Sequence, residues 1–450
     1  MRKVKSALHF ILLICQSIIA IFRIRFTFRK NYWNLAKLFD HFHLKRNLVQ
    51  MNESCNDLSV WQSRIEQSNI NYWDSNHERY LAIRVELLEK GINKQKLKNP
   101  TIFVGDEITN SFGHLAQFTD RCRARILGLD NNNFVISGYR RANSWFIDHY
   151  LSRYFPVLPP DELINELFEI KHRDSMDQIS LGYINGEVRS YTEVRTIIER
   201  EWKSNFGAAS LFDLNETDAL RFDEFASSIG MHVNDWFVTL HLRNARYDRF
   251  RNSAEFDKFK NGIDEILLRG GWVINFGSVD TPILPINHPH FFDYANSGRR
   301  SEQLDICLLA RCRFHFGTAS GVSDFPAIFG RPVLRINGTR IGSLYYKPNT
   351  LEVPKILVNR NSQEYSGTFS EHLNSGWLDV DHPPIARPDL ELRSATADEI
   401  LNGVCEILLR ENTIFEKEHS AIDEIFSKYR RTESTSISKY FIKKHEKYFC

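Results

Sequence analysis

A histidine and an arginine stand two residues apart at the end of an apolar run. His241 and Arg243 close the segment WFVTLHLR, residues 236–243, whose composition is typical of a β-strand. Because side chains alternate along a strand, both residues point to the same face. An arginine there can donate two parallel hydrogen bonds to phosphate oxygens. The alternative interpretation is a solvated arginine beside a satisfied histidine of the core.

A turn of small residues, FGTASGVS at 316–323, is the second candidate. It lies between a predicted strand and a predicted helix, where unpaired backbone N–H groups attract anions. The hydroxyl groups of Thr318 and Ser320 could add hydrogen bonds to an anion. The chain contains neither a G-x-G-x-x-G motif nor a Walker loop ending in GKS or GKT. An N-cap turn without a ligand is the alternative.

Two acids and a histidine follow the first predicted strand of the body. Asp106, Glu107 and His114 lie in and after a turn that begins at Gly105, and each is a candidate general base toward a hydroxyl group. The sequence does not choose among the three. Capping of the following helix would explain the same residues without any catalysis.

One further carboxylate lies on a predicted helix. Asp305 precedes, by about two helical turns, the strand that leads into the small-residue turn. If it faces a cleft, it could accept hydrogen bonds from a ribose or a base. Pairing with Arg300 or Arg311 is an equally good explanation of this residue.

The composition is that of a soluble globular protein. Of the 450 residues, 42% are hydrophobic and 25% are charged, which argues against a disordered chain, a collagen-like repeat and a multi-span membrane protein. The 58 Lys and Arg residues nearly balance the 56 Asp and Glu residues, so no overall basic field indicates nucleic acid. The seven cysteines are scattered without a C-x-x-C pair, which predicts neither a disulfide framework nor a zinc site and fits a reducing compartment.

The amino-terminal end differs from this average. Residues 7–22 carry no formal charge, and Lys and Arg residues flank them on both sides. As a helix they would span about 24 Å, less than the hydrocarbon core of about 30 Å. We therefore expect peripheral or monotopic attachment to a membrane, with the body of the protein in the cytoplasm. A cleaved signal peptide, a spanning helix and a buried helix of a soluble domain are the alternatives.

Strand-like and helical patterns alternate in two series along the body of the chain. The main predicted strands are 101–104, 134–137, 236–243, 272–276, 313–316 and 333–336. The pattern predicts an α/β fold with two doubly wound, Rossmann-like domains, in which ligands bind at the carboxyl ends of strands. The predicted divisions are a basic and apolar anchor segment (1–30), a helical preface (31–98), an amino-terminal α/β domain (99–230), a carboxyl-terminal α/β domain (231–410) and a basic helical tail (411–450).

The order of these motifs resembles the carboxyl half of the fucosyltransferase-like group of two-domain (GT-B) glycosyltransferases. It looks still more like a family of glycosyltransferases from bacterial surface-polysaccharide loci. The resemblance covers about residues 100–409. The segments that carry it are 111–116, 236–243, 269–277, 293–295, 301–321 and 330–337.

The resemblance implies a GT-B-like enzyme that moves a sugar from a nucleotide-diphosphate donor to an acceptor hydroxyl in bacterial envelope polysaccharide synthesis. It implies a glycan or lipid-linked glycan acceptor at the inner-membrane surface and a reaction without a metal. We expect no cofactor, and the charge balance indicates no nucleic acid. Arg243 would bind the diphosphate and neutralise the leaving group, and the base would come from the amino-terminal, acceptor side, with Asp106, Glu107 and His114 as candidates. The implied donor site consists of His241, Arg243, Gly277, Asp305, Gly317, Thr318, Ser320 and Gly321.

Two departures from the pattern leave alternatives open. Asn244, Ala245 and Arg246 stand where fucosyltransferase-type chains often carry a second Arg and Gly-Asp, so the sugar and the nucleotide are not specified. The D-x-D at 379–381 lies in a loop before two prolines and does not indicate a metal site. A non-catalytic scaffold that binds a nucleotide sugar or a glycan is the alternative function. A sulfotransferase is disfavoured because no Gly-rich loop with Lys follows the first strand.

Overall fold

The computed structural model describes residues 101–129, 133–136, 138, 140–158, 181–184, 187–207, 209–243, 255–278, 281–339, 350–374, 389–409 and 435–449. The predicted anchor segment and helical preface lie outside these ranges, as does the first part of the predicted basic tail. Within the ranges, no helix combines the length and the apolar character needed to cross a membrane.

The described part of the amino half begins with two parallel strands, β1 (Thr101–Val104) and β2 (Asn133–Ile136). A short helix, α1 (Asp106–Thr109), and a longer one, α2 (Phe112–Ile126), connect them. A strand, a helix and a parallel strand in this order confirm the α/β pattern that the sequence predicts here.

The rest of the described amino half is helical except for one hairpin. Its elements are α3 (Ser144–His149), the hairpin strands β3 (Leu181–Ile184) and β4 (Glu187–Ser190), α4 (Tyr191–Phe206) and α5 (Glu216–Ser228). Helix α3 ends at His149, and a single 3-10 turn, Leu151–Arg153, follows it. The division of the chain into two doubly wound domains stays a prediction.

A seven-stranded parallel sheet lies in the carboxyl half. Its strands are β5 (Phe237–His241), β6 (Trp272–Asn275), β7 (Phe291–Phe292), β8 (Phe314–Thr318), β9 (Val333–Ile336), β10 (Thr350–Val353) and β13 (Thr435–Ile437). Between β10 and β13 the chain forms a separate antiparallel pair, β11 (Ile356–Asn359) and β12 (Leu390–Arg393). The order in space is β13-β10-β9-β8-β5-β6-β7. From β5 the chain adds β6 and β7 on one side of this strand, and it then crosses to β8 on the other side. The topological switch point therefore lies between β5 and β8.

Helices cover both faces of this sheet. They are α6 (Phe256–Leu268), α7 (Glu302–Arg311), α8 (Phe325–Ile328), α9 (Phe369–Asn374), α10 (Ala397–Leu409), α11 (Lys439–Lys444) and α12 (Glu446–Phe449). Val238 and Leu240 of β5 share an apolar cluster with α6 and α10, whereas Phe237 belongs to a cluster with α7. The second cluster also contains buried residues of α2 and α3, so one continuous core joins the amino half to that face of the sheet.

A buried carboxylate fastens the helices of the amino half to α7. Asp218 on α5 is fully buried and accepts hydrogen bonds from the side chains of Tyr150, Trp145 and Gln303. Burial, together with the hydrogen bond to this carboxylate, raises the pKa of the Tyr150 hydroxyl. Glu302, the first residue of α7, accepts hydrogen bonds from the first two backbone N–H groups of α3. The amino half therefore rests on polar as well as apolar contacts with α7.

A second buried carboxylate anchors the carboxyl-terminal segment. Glu399 on α10 is fully buried, and its Oε1 lies 2.7 Å from His445 Nε2, 3.1 Å from Lys444 Nζ and 3.3 Å from Arg393. Its Oε2 accepts a hydrogen bond from the backbone N–H of Thr396. Burial alone would raise the pKa of Glu399, but the hydrogen bonds and the neighbouring positive charges outweigh it and hold the pKa at about 2.

Replacing this carboxylate is expected to loosen the tail. Glu399→Gln should lower the free energy of unfolding at pH 7 by about 3 kcal/mol, because the partly exposed Arg393 and Lys444 lose their counter-charge and buried His445 loses its carboxylate partner. The folded pKa of about 2 lies below the ordinary value of 4.5, so the wild-type advantage should disappear as the pH falls from about 4.5 toward 2. Urea unfolding followed by tryptophan fluorescence measures both effects. Glu446→Gln, at the exposed first residue of α12, is the control, and equal unfolding of both variants at pH 7 would contradict the anchoring role.

Candidate functional site

A cleft of about 230 Å³ opens at the switch point, beyond the carboxyl ends of β5 and β8. Four segments of the chain line it: the start of α2, the end of β5, the loop after β6 and the turn after β8. The lining residues are Ser111, Phe112, Gly113, His241, Leu242, Arg243, Ser278, Thr281, Ser320, Gly321 and Val322. The two motifs that the sequence singles out, His-x-Arg and the small-residue turn, therefore meet in one place.

The carboxyl ends of the neighbouring strands β5 and β8 lie unusually close together. A methyl group built on Gly317 would lie 2.2 Å from the backbone oxygen of His241, so the strands could not approach in this way with any other residue there. The buried Thr318 hydroxyl accepts a hydrogen bond of 3.0 Å from the Arg243 backbone N–H and donates one of 3.4 Å to the His241 oxygen. Thr318 thus fixes the backbone that carries Arg243, and neither Gly317 nor Thr318 is among the residues that line the cleft.

The hydrogen bond made by the His241 ring determines its tautomer. Its Nδ1 lies 2.9 Å from the Phe276 backbone oxygen, and because a carbonyl only accepts, Nδ1 carries the proton. Burial and the positive charge of Arg243 lower the pKa of His241 to about 4, against a smaller opposing effect of the Phe276 hydrogen bond. The ring is therefore neutral near pH 7, and its Nε2 is a hydrogen-bond acceptor. The cleft thus presents a neutral acceptor beside a cation.

The loop after β6 forms a third wall of the cleft, with Ser278 and Thr281 among the lining residues. No sequence motif pointed to the residues that hold this loop in place. A methyl group on Gly277 would lie 2.1 Å from Thr281 Oγ1 and 3.1 Å from His241 Nδ1, so glycine allows both side chains to pack there. The amide of Asn275 donates to Asp293, at 3.0 Å, and to the backbone oxygen of Pro282, at 3.2 Å. An asparagine at the end of a buried strand was the only sequence signal for this support.

Two glycines bring the amino half against the carboxyl half at the cleft. A methyl group on Gly113 would lie 2.9 Å from the Cα of Gly321, and one on Gly321 would lie 2.5 Å from the backbone nitrogen of Gly113. Beside this contact, the rings of Phe112 and Phe325 meet edge to face at 4.8 Å. The first turn of α2 therefore packs backbone to backbone on the turn after β8. That turn leads into one 3-10 turn and the four-residue α8, a shorter element than the predicted helix.

Asp106 and His114 are not among the described residues that line the cleft. Asp106 is 1% exposed, and its carboxylate accepts hydrogen bonds from the backbone and side chain of Arg140, at 2.7 and 2.8 Å. His114 is half-buried in the first turn of α2. The side chain of Glu107 is outside what the structure describes. Among the described residues that line the cleft, none carries a carboxylate.

Asp305 is engaged within the protein. It is 3% exposed, accepts a hydrogen bond of 2.8 Å from the Tyr294 hydroxyl and forms an ion pair of 3.2 Å with Arg300. Burial raises the pKa of Asp305, and Arg300 opposes this effect. Of the two interpretations open from the sequence, pairing with Arg300 is the one seen, and Asp305 is not a lining residue.

Among the residues that the structure describes, no group of three or more His, Cys, Asp or Glu side chains is arranged to hold a metal ion. The residues that follow Arg243 and Ser278, at 244–254 and 279–280, lie outside that finding.

Comparisons with known proteins find partial structural likeness. No protein-family model and no curated protein matches the sequence. A glycosyl transferase family 9 structure from Veillonella parvula is 14% identical, with a TM-score of 0.36, covering 58% of this chain and 87% of that one. The ADP-heptose lipopolysaccharide heptosyltransferase II of E. coli is 12% identical, with a TM-score of 0.37, covering 70% and 99%. The iron-containing dodecameric glycosyltransferase TibC from enterotoxigenic E. coli is 15% identical, with a TM-score of 0.37, covering 69% and 79%. Because these TM-scores are below 0.5, the activity of this chain has to be argued from its own residues.

The glycine contact should not tolerate a methyl group. Gly321→Ala should push α2 away from the turn after β8 and increase amide hydrogen exchange in peptides that cover 111–116. Gly298→Ala is the control, because it lies at positive φ in open space and strains the backbone without meeting the cleft. Unchanged exchange at 111–116 in Gly321→Ala would show that the contact does not hold the two segments together.

The neutral state of His241 has a measurable consequence for stability. His241→Asn keeps a donor for the Phe276 oxygen and removes the titrating ring. The folded pKa of about 4 lies below the ordinary 6.5, so the unfolded chain takes up the proton first and the wild type should lose stability relative to His241→Asn as the pH falls from 6.5 to 4. Urea titrations at several pH values measure this difference. The same pH dependence in both proteins would argue against a neutral buried ring.

Proposed function

We propose that the protein is a glycosyltransferase that uses a nucleotide-diphosphate sugar. The observation that carries this proposal is the meeting of Arg243 with the small-residue turn at the switch point of a doubly wound sheet, where such folds bind their ligands. A guanidinium beside backbone and hydroxyl groups suits phosphate oxygens. The sequence motifs that resemble GT-B glycosyltransferases lie at the same place.

In the proposed reaction, the oxygen of an acceptor hydroxyl forms a bond to the anomeric carbon of the sugar. The bond from that carbon to the phosphate oxygen breaks, and the nucleoside diphosphate leaves with the electron pair. Arg243 stabilises the negative charge that grows on the leaving group. Because the donor's charge is met by a guanidinium, we propose that no metal ion is required. The neutral His241 ring accepts a hydrogen bond from a ligand hydroxyl.

The hydroxyl proton must pass to a base on the acceptor side. Of the three candidates, Asp106 already accepts two hydrogen bonds from Arg140, so its oxygens are the least available to an acceptor hydroxyl. His114 and Glu107 are the better candidates. They lie in α2 and α1, on the side of the cleft that the amino half supplies.

We place this activity in bacterial envelope polysaccharide synthesis, with a glycan or lipid-linked glycan as acceptor. The apolar segment at 7–22, with the Lys and Arg residues that flank it, would hold the cytoplasmic body at the inner-membrane surface, as a peripheral or monotopic protein. The motif resemblance supports this setting, and the proposal includes neither a cofactor nor nucleic acid.

A second candidate function is a scaffold that binds a nucleotide sugar or a glycan without transfer. One specific observation favours it, namely that the described lining of the cleft contains no carboxylate to act as base. A turnover assay separates the two candidates. Release of nucleoside diphosphate from a bound donor supports the enzyme, and binding without release supports the scaffold.

The donor site is tested by calorimetric titration of the full-length protein in mild detergent. One of GDP, UDP, ADP, CDP and dTDP should bind with and without Mg²⁺, and Arg243→Ala should weaken that binding at least about tenfold, since a bidentate contact to phosphate is lost. Arg269→Ala, an exposed arginine at the end of α6, is the charge-matched control. If folded wild-type protein binds none of the five, the donor site is wrong.

A further inference from the structure

Two apolar side chains, one from each half of the chain, line the cleft beside the glycine contact. Phe112 and Val322 are both half-buried, and both pack against the apolar cluster that joins the amino half to the sheet. Phe112 precedes Gly113 and Val322 follows Gly321, so the two side chains belong to segments that touch. We call this pair, Phe112 and Val322, the apolar shelf.

The Phe112 ring is held in place by buried rings. It meets the ring of Phe325 edge to face at 4.8 Å, and Phe325 in turn meets the ring of Phe146 at 4.8 Å. Phe325 and Phe146 are both fully buried. Because Phe112 is already packed against the core, a ligand that lies on it orders little that is not ordered before binding. A ring held in this way suits a ligand with a flat apolar surface.

Most of the other side chains that line the cleft are polar. Arg243 carries a positive charge, the neutral His241 ring offers an acceptor, and Ser278 and Thr281 add hydroxyl groups. A ligand that matches this lining has an anionic group joined to a ring with an apolar face. The sugar of a nucleotide-diphosphate sugar fits this description, because its anomeric carbon is bonded to the diphosphate and its C–H groups form an apolar surface on the ring.

The size of the cleft favours the sugar over the nucleobase as the group that meets the apolar shelf. The cleft volume of about 230 Å³ is below the roughly 300 Å³ at which pockets for whole small-molecule ligands begin. With the diphosphate at Arg243, the sugar is the ring bonded directly to it, whereas the ribose separates the base from it. The proposed reaction also places the sugar between its leaving group and the acceptor side, and Phe112 on α2 belongs to that side.

Resting on the proposed function, we propose that the apolar shelf binds one face of the transferred sugar and that Phe112 determines which sugars fit. The substrate class is a pyranose whose C–H groups cluster on one ring face. A hydroxyl group that stands axially on that face would hold the sugar away from the Phe112 ring and would lose its own hydration there. The contact adds to the binding of the diphosphate, so a sugar conjugate binds more tightly than its nucleoside diphosphate alone.

Calorimetric titration of the full-length protein compares the nucleoside diphosphate that binds wild type with its glucose, galactose and mannose conjugates. The ratio of the two dissociation constants is the sugar gain, and at least one conjugate should show it. Phe112→Leu should reduce the sugar gain about three- to tenfold and leave the affinity for the nucleoside diphosphate unchanged, because leucine is apolar but has no flat ring. Phe112→Tyr keeps the ring and should keep the gain. Phe206→Leu, at the exposed end of α4 and outside the cleft lining, is the matched control.

Val322→Thr provides a second test if Phe112→Leu folds poorly. Threonine keeps the shape of valine but replaces a methyl group with a hydroxyl, so the sugar gain should fall about two- to threefold. An unchanged gain in both variants, or no gain in wild type, would overturn the apolar shelf and leave the proposed donor site standing. Equal weakening of the nucleoside diphosphate and its conjugates by Phe112→Leu would also overturn it. If folded wild type binds none of these nucleotides, the proposed function fails and the apolar shelf fails with it.

Discussion

The backbone contact between Gly113 and Gly321 is the constraint on which the site depends. Because neither residue has a side chain, the first turn of α2 lies directly on the turn after β8, closer than any pair of larger residues would allow. The Phe112 and Phe325 rings beside it and the shared core around α7 hold the two halves in this position. The cleft lies beside this contact, and its lining extends from the two turns to Arg243.

The sheet supplies the second part of the arrangement. Since β5 and β8 are neighbours at the switch point, the connections that follow them leave in opposite directions, which is the arrangement that lets a ligand bind beyond the carboxyl ends of such strands. Gly317 and Thr318 then draw the ends of the two strands together, and the Thr318 hydroxyl fixes the backbone of Arg243. The guanidinium is thus carried by a rigid strand end, which suits a group that must meet a phosphate without reorganising.

The sequence predicted these parts to different degrees. The strands ending at His241 and before the small-residue turn were predictable because alternation and Gly-rich boundaries are local signals, and the structure brings both ends together. The helical tail beyond 434 contains a strand, β13, that the sequence analysis missed, since pairing with β10 is a long-range contact. The partners of Asp106 and Asp305 could not be chosen from sequence, because Arg140 and Arg300 become visible as partners only once the chain is folded. Asn275 ends β6 and Asp293 follows β7, and the hydrogen bond between their side chains supports the loop after β6. No rule of sequence spacing indicates that these two residues meet.

The proposed function places the nucleoside diphosphate in the cleft beyond the carboxyl ends of β5 and β8. Amide hydrogen exchange of the full-length protein, with and without a saturating nucleoside diphosphate, tests it directly. We expect slower exchange in the bound protein in peptides that cover 241–243 and 318–322, which include lining residues of the cleft. Unchanged exchange in both peptides, with the nucleotide bound, would contradict the cleft as the binding site.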